Sequence, residues 1–88
     1  MPNIRDTIAS SLRIQIEYLL IDIEIAFTFL DCARITVNTE TRARNLHNAR
    51  TAYDSVKVLA GRPILGESDL NLVWSRLAEL KTALQLPG

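Results

Sequence analysis

From Asn3 to Ala60 the chain contains neither glycine nor proline. That absence weighs most on its densest apolar stretch, IQIEYLLIDIEIAFTFLDCA, which runs from Ile14 to Ala33. Three structures compete for these residues. The alternation Ile21-Asp22-Ile23-Glu24-Ile25 fits a β-strand, the apolar density fits a membrane span, and the unbroken length fits a helix. A span requires about 20 largely apolar residues, whereas Gln15, Glu17, Asp22, Glu24 and Asp31 interrupt this one. Each acid near mid-bilayer would cost roughly 2.5–3.5 kcal/mol, and no base within the segment offsets it. A strand longer than about 10 residues without turn chemistry is also unfavourable, and no later segment offers it a partner. The helix remains, with the local β-preference of isoleucine as a modest cost.

At about 100° per residue the alternation resolves into two apolar stripes on one helix. Ile8, Leu12, Ile16, Leu19, Ile23, Ala26, Phe27 and Leu30 form one. Ile14, Tyr18, Ile21, Ile25, Phe29 and Cys32 form the other. Gln15 and Asp22 separate them on one side, while Ser10, Arg13, Glu17, Glu24, Thr28 and Asp31 make up the solvent side.

Two more helices follow. Asn38 or Thr39 can cap a second, with Glu40 placed to meet the positive end of its dipole. Its apolar face reads Leu46, Ala49, Ala52, Tyr53, Val56, Leu59 and Ala60, in which small residues permit close approach. Gly61 follows as its terminating residue, and Pro63 forbids continuation. The connector RPILGES places Ile64 and Leu65 at one end of the core. The third helix begins near Ser68 or Asp69 with a stripe of Leu70, Val73, Trp74, Leu77, Leu80 and Leu84, flanked by Arg76, Glu79 and Lys81. The expected spans are about 4–36, 39–60 and 69–85, by periodicity and end signals. Short connections make sequential helices antiparallel, so the predicted fold is an all-α, up-down-up three-helix bundle in a single domain. Its first helix is long enough to leave Ile4, Ile8 and Leu12 overhanging.

At 88 residues there is room for one modest core. The second stripe of helix 1 therefore has two explanations. A central helix touching both neighbours would bury it as core, or it associates with a second copy or with a helix of another protein. The second is the expectation, because large exposed apolar patches are uncommon on monomers. The anticipated interface is Ile4, Ile8, Ile14, Tyr18, Ile21, Ile25, Phe29 and Cys32, in a homodimer with charges at the rim setting register.

Ten Lys+Arg balance ten Asp+Glu, so bulk charge recruits neither nucleic acid nor anionic lipid. Helix 1 nevertheless has an acidic excess and helix 2 a basic one, which predicts ion pairing between them. The alternative reading is a nucleic-acid-associated regulator in which Arg44, Arg50 and Lys57 on the outer side of helix 2 contact phosphates. Asp54 sits among them, and no aromatic is interleaved for stacking.

Catalytic signals are absent. His47 is the only histidine and lies opposite the apolar face of its helix. Glu17, Glu24 and Asp31 share a stripe, but successive members stand about 10 Å apart along the axis, too far for one ion. Cys32 has no sequence-near base and is expected as a buried, inert thiol. No Gly-rich phosphate loop, nucleophile elbow or zinc spacing occurs. The expectation is a non-enzymatic protein without cofactor, metal or small-molecule substrate. A lone cysteine and the lack of a cationic, then apolar, leader in MPNIRDTIASSLR point to the cytoplasm.

The segment NLHNARTAYD, Asn45 to Asp54, resembles small bacterial helical proteins of unassigned function. In those proteins an Asn/Ala/Arg-rich helix ending Ala-Tyr-Asp follows an apolar first helix. Ala49-x-x-x-Tyr53 is also similar to the second helix of a tetratricopeptide unit, where a small and an aromatic residue one turn apart let paired helices pack closely. The preceding helix lacks that repeat's Trp, Gly and Tyr at their offsets.

Overall fold

The computed structural model describes residues 4–62 and 67–86, with side chains for residues 13–62 and 70–86. It contains α1 (Ile4–Ile35), α2 (Thr39–Ala60) and α3 (Glu67–Leu84). The contested stretch is helical throughout, and the three-helix, all-α architecture is as expected. α3 begins two residues before its expected start. The connector residues Ile64 and Leu65 lie outside the described residues, as do the side chains of Ile4, Ile8 and Leu12.

The C-terminal end of α1, the N-terminal end of α2 and the C-terminal end of α3 meet around one cleft lined by Leu30, Ala33, Leu46 and Leu84. The three helices therefore run up, down and up. α1 has 32 residues against 22 in α2, so at about 1.5 Å per residue it is longer by some 15 Å. The molecule measures 55 × 28 × 15 Å, and its radius of gyration of 15.4 Å exceeds the roughly 12 Å expected of a compact chain this long. The length of α1 accounts for that elongation.

The core is wholly apolar among the described residues. α1 contributes Leu19, Ile23 and Ala26; α2 contributes Tyr53, Val56 and Ala60; α3 contributes Leu70, Val73, Leu77 and Leu80. Ala49 of α2 and Leu30 and Ala33 of α1 are also buried. With no buried polar group to anchor, hydrophobic burial and close packing carry the stability.

Two residues of the expected core faces stand farther out. Trp74 is exposed because it sits about 80° from the centre of the arc formed by Leu70, Val73, Leu77 and Leu80. Leu46 opens into the cleft at the bundle end, where it has no fourth wall to press against.

The ends follow local chemistry. The backbone N–H of Thr41 donates to Asn38 Oδ1 at 2.9 Å, capping α2. Arg42 Nη2 donates to the Thr36 carbonyl at 2.8 Å and fastens the α1–α2 connection. Gly61 terminates α2 but keeps right-handed φ −79 and ψ −3, so its left-handed freedom is unused. The positive φ occurs instead at Gln85, with φ 58. There the Leu86 N–H donates to the Lys81 carbonyl at 3.1 Å and the Gln85 N–H to the Thr82 carbonyl at 3.0 Å. That pattern is a Schellman stop made without glycine, and Leu86 completes it by packing on the core.

The expected α1–α2 ion pairing is not found among the described residues. The interhelix pair joins α3 to α1: Arg76 bridges Glu24 of α1 and Glu79 of its own helix. Arg44, Arg50 and Lys57 are exposed on the outer side of α2, and Arg42 is engaged by the Thr36 carbonyl, which explains the difference. Arg76 also stacks 4.7 Å from the centroid of the Phe27 ring. Its hydrogen bond to Glu24 raises the guanidinium pKa, against partial desolvation and with further help from Glu79.

Candidate functional site

α1 presents apolar side chains in two directions. Leu19, Ile23, Ala26, Leu30 and Ala33 face the bundle and are buried. Ile14, Tyr18, Ile21 and Ile25 keep 48%, 63%, 51% and 44% of their accessible surface. The centres of the two arcs lie about 130° apart around the helix, so α2 and α3 cannot cover both. The explanation in which the second stripe is intramolecular core is thereby overturned for these four residues. Phe29 is half-buried at the edge of the stripe. Cys32 is exposed rather than buried, because it falls on the outward arc close to Ile14 and Ile25. The side chains of Ile4 and Ile8 lie outside the described residues.

The outward residues follow a tighter rule than one apolar stripe. Ile14, Tyr18, Ile21, Ile25, Thr28, Cys32 and Ile35 succeed one another at steps of 4, 3, 4, 3, 4 and 3. All seven are exposed, Ile35 at 81%. This is the 3.5-residue repeat by which one helix presents a seam to another, and it runs about 32 Å along the axis. Sequence reasoning missed Thr28 and Ile35. Following the 3-4 spacing to the end of the helix would have reached both, whereas hydrophobicity alone passes over Thr28. The Thr28 hydroxyl donates to the Glu24 carbonyl at 3.0 Å, so its donor is already used within the helix.

In this register Glu17, Glu24 and Asp31 form one flank of the seam, and Gln15, Asp22 and Phe29 form the other. Glu24 is held by Arg76, and Asp31 lies 3.7 Å from Arg34. Glu17 and Asp22 have no ion pair among the described residues. The seam is therefore apolar along its centre except at Thr28, with one carboxylate on each side, Glu17 and Asp22, that has no ion pair among the described residues.

The outer face of α2 is organised differently. Arg44, Arg50 and Lys57 are all exposed. Helical geometry places Arg44 about 120° round from Arg50, with exposed His47 and Asp54 between them. Lys57 lies 6.0 Å from the centroid of the Tyr53 ring. The three cations thus occupy two edges of the helix and do not form one continuous stripe. The cleft at the bundle end, about 490 Å³, has Arg34 and Arg42 at its rim and a largely aliphatic floor. Among the described residues no three potential metal ligands cluster, and no helix is long and apolar enough to cross a membrane. Compared with family models, with curated proteins and with solved structures, the chain matches none.

Proposed function

We propose that this protein is a non-enzymatic interaction module whose outward seam on α1 docks a helix of another chain. The observation that carries the reading is the 3-4 run of exposed residues from Ile14 to Ile35, set opposite a buried stripe on the same helix. The mechanism is apolar burial along the seam. Completing the burial of a half-exposed isoleucine is worth about 1 kcal/mol. The seam must therefore engage along much of its length to exceed the 4–15 kcal/mol entropic cost of association. Tyr18, bulky and amphipathic, is the natural anchor. α2 and α3 act as the scaffold that keeps α1 helical and turns the seam outward.

Cys32 lies on the seam and reports its occupancy. A synthetic amphipathic peptide with apolar residues at 3-4 spacing should slow alkylation of Cys32 in the full chain. The double substitution Ile21→Glu, Ile25→Glu should abolish that protection while leaving the helical content intact. If alkylation stays equally fast with saturating peptide, and sedimentation shows no self-association, the seam is not a docking surface.

A further inference from the structure

We infer that the seam's occupant is a helix of a different protein, with lysine or arginine on both flanks of its own apolar row. This inference rests on the docking reading above and adds the chemistry of the partner. It follows from the register. When two helices pair through a 3-4 seam, the residues on either side of it face one another and select the partner by charge. Here one flank is Glu17, Glu24 and Asp31, and the other contains Asp22.

A second copy of this chain fits those flanks poorly in either orientation. In a parallel, in-register pair, a residue on one flank faces the residue five positions on in the other helix. Glu17 then meets Asp22 of the partner copy, twice by symmetry, and these are the two seam carboxylates without an ion pair among the described residues. In an antiparallel pair each flank faces its own equivalent, so Glu17, without an ion pair among the described residues, opposes the second copy's row of Glu17, Glu24 and Asp31, in which Glu24 and Asp31 already hold Arg76 and Arg34. Like charges across such an interface oppose docking, and opposite charges favour it.

The chain's own basic surface does not supply the match. The outer face of α2 carries arginine and lysine, but the large exposed apolar residues of this helix are only Leu46, at the bundle-end cleft, and Val58. They are twelve positions apart and form no seam. A basic-flanked amphipathic helix from another protein satisfies both requirements, with apolar side chains over Tyr18, Ile21 and Ile25 and cations beside Glu17 and Asp22.

Two synthetic peptides test this against the full chain. Both carry the same Ile/Leu residues at 3-4 spacing; one has Lys at the flanking positions and the other Glu. Binding is followed by fluorescence anisotropy and by Cys32 protection at low and high salt. The Lys-flanked peptide should bind at least about tenfold more tightly at low salt, because several exposed pairs each shift from repulsive to attractive. The margin should shrink as salt rises. Glu17→Lys with Asp22→Lys should reverse the preference, and Ile21→Glu with Ile25→Glu should remove binding of both peptides. Equal binding of the two peptides, or tighter binding of the Glu-flanked one, overturns the charge inference and leaves the docking seam standing. A seam-dependent dimer at micromolar concentration, lost in the Ile21→Glu, Ile25→Glu variant, overturns it in favour of a second copy. Binding of neither peptide, with no self-association, removes the docking reading itself.

Discussion

Ile23 and Ile25 are two positions apart on α1, and their substitution by alanine should have consequences of very different size. Ile23 is completely buried against the other two helices, whereas Ile25 keeps 44% of its surface. Removing the buried side chain forfeits transfer free energy and leaves a cavity, at a cost of about 2–5 kcal/mol. An 88-residue domain at typical stability per residue has only about 4–13 kcal/mol in total. Ile23→Ala should therefore consume a large fraction of the stability and lower the melting temperature by roughly 10 °C or more. Ile25→Ala removes a side chain already half in water and leaves no enclosed void, so it should cost less than about 1 kcal/mol. Urea titrations followed by far-ultraviolet circular dichroism, at dilutions where the midpoint is independent of concentration, give both values. The denaturant slope should be the same for both variants, because the surface exposed on unfolding barely changes. Equal destabilisation by the two substitutions, or a larger effect at Ile25, would refute the assignment of inner and outer faces.

Other consequences concern the helix ends. Asn38→Ala should cost about 1 kcal/mol by leaving the Thr41 N–H without its cap, while Asn38→Asp should be nearly neutral; chemical denaturation measures both. Gly61→Ala should stabilise by about 0.4–1 kcal/mol, since the backbone there is right-handed and a new Cβ would sit in ordinary contact with the Lys57 and Val58 carbonyls, at 3.5 and 3.6 Å. Gln85→Gly should also stabilise, by up to about 1 kcal/mol, because it relieves a left-handed conformation at a side-chain-bearing residue. A loss of stability from either change, seen in the same titrations, would contradict the described stop.

The helices and their inner faces were legible because they follow from local rules. The long run without glycine or proline argued against a strand, the 3.6-residue period placed Leu19, Ile23 and Val56 inward, and Asn38 is a strong capping residue. What the sequence concealed depends on where helices end relative to one another. Leu46 belongs to an apolar arc, yet it sits at the bundle end beside an open cleft. Trp74 lies at the margin of its stripe, so bulk and apolarity misled where angle decided. Charge was misjudged for a related reason. Composition made α1 and α2 complementary, but Arg44, Arg50 and Lys57 stand on the outer side of α2, Arg42 is engaged by the Thr36 carbonyl, and the interhelix contact with Glu24 comes from Arg76 of α3. The second stripe of α1 was readable as a surplus of apolar residues. Its extension through Thr28 to Ile35 lay in the 3-4 spacing, but hydrophobicity alone passes over Thr28, and exposure marked the residues that share the face.

The central claim is that α1 has one apolar face for its own bundle and another for a foreign helix. Isoleucine-methyl NMR with a soluble paramagnetic probe tests it without altering a residue. In the free chain the methyl groups of Ile14, Ile21, Ile25 and Ile35 should broaden strongly, and those of Ile23 should not. Adding the Lys-flanked peptide should shield the first four and leave Ile23 unchanged. Uniform protection of all five in the free monomer, or no shielding of the outer four by saturating peptide, would contradict the account.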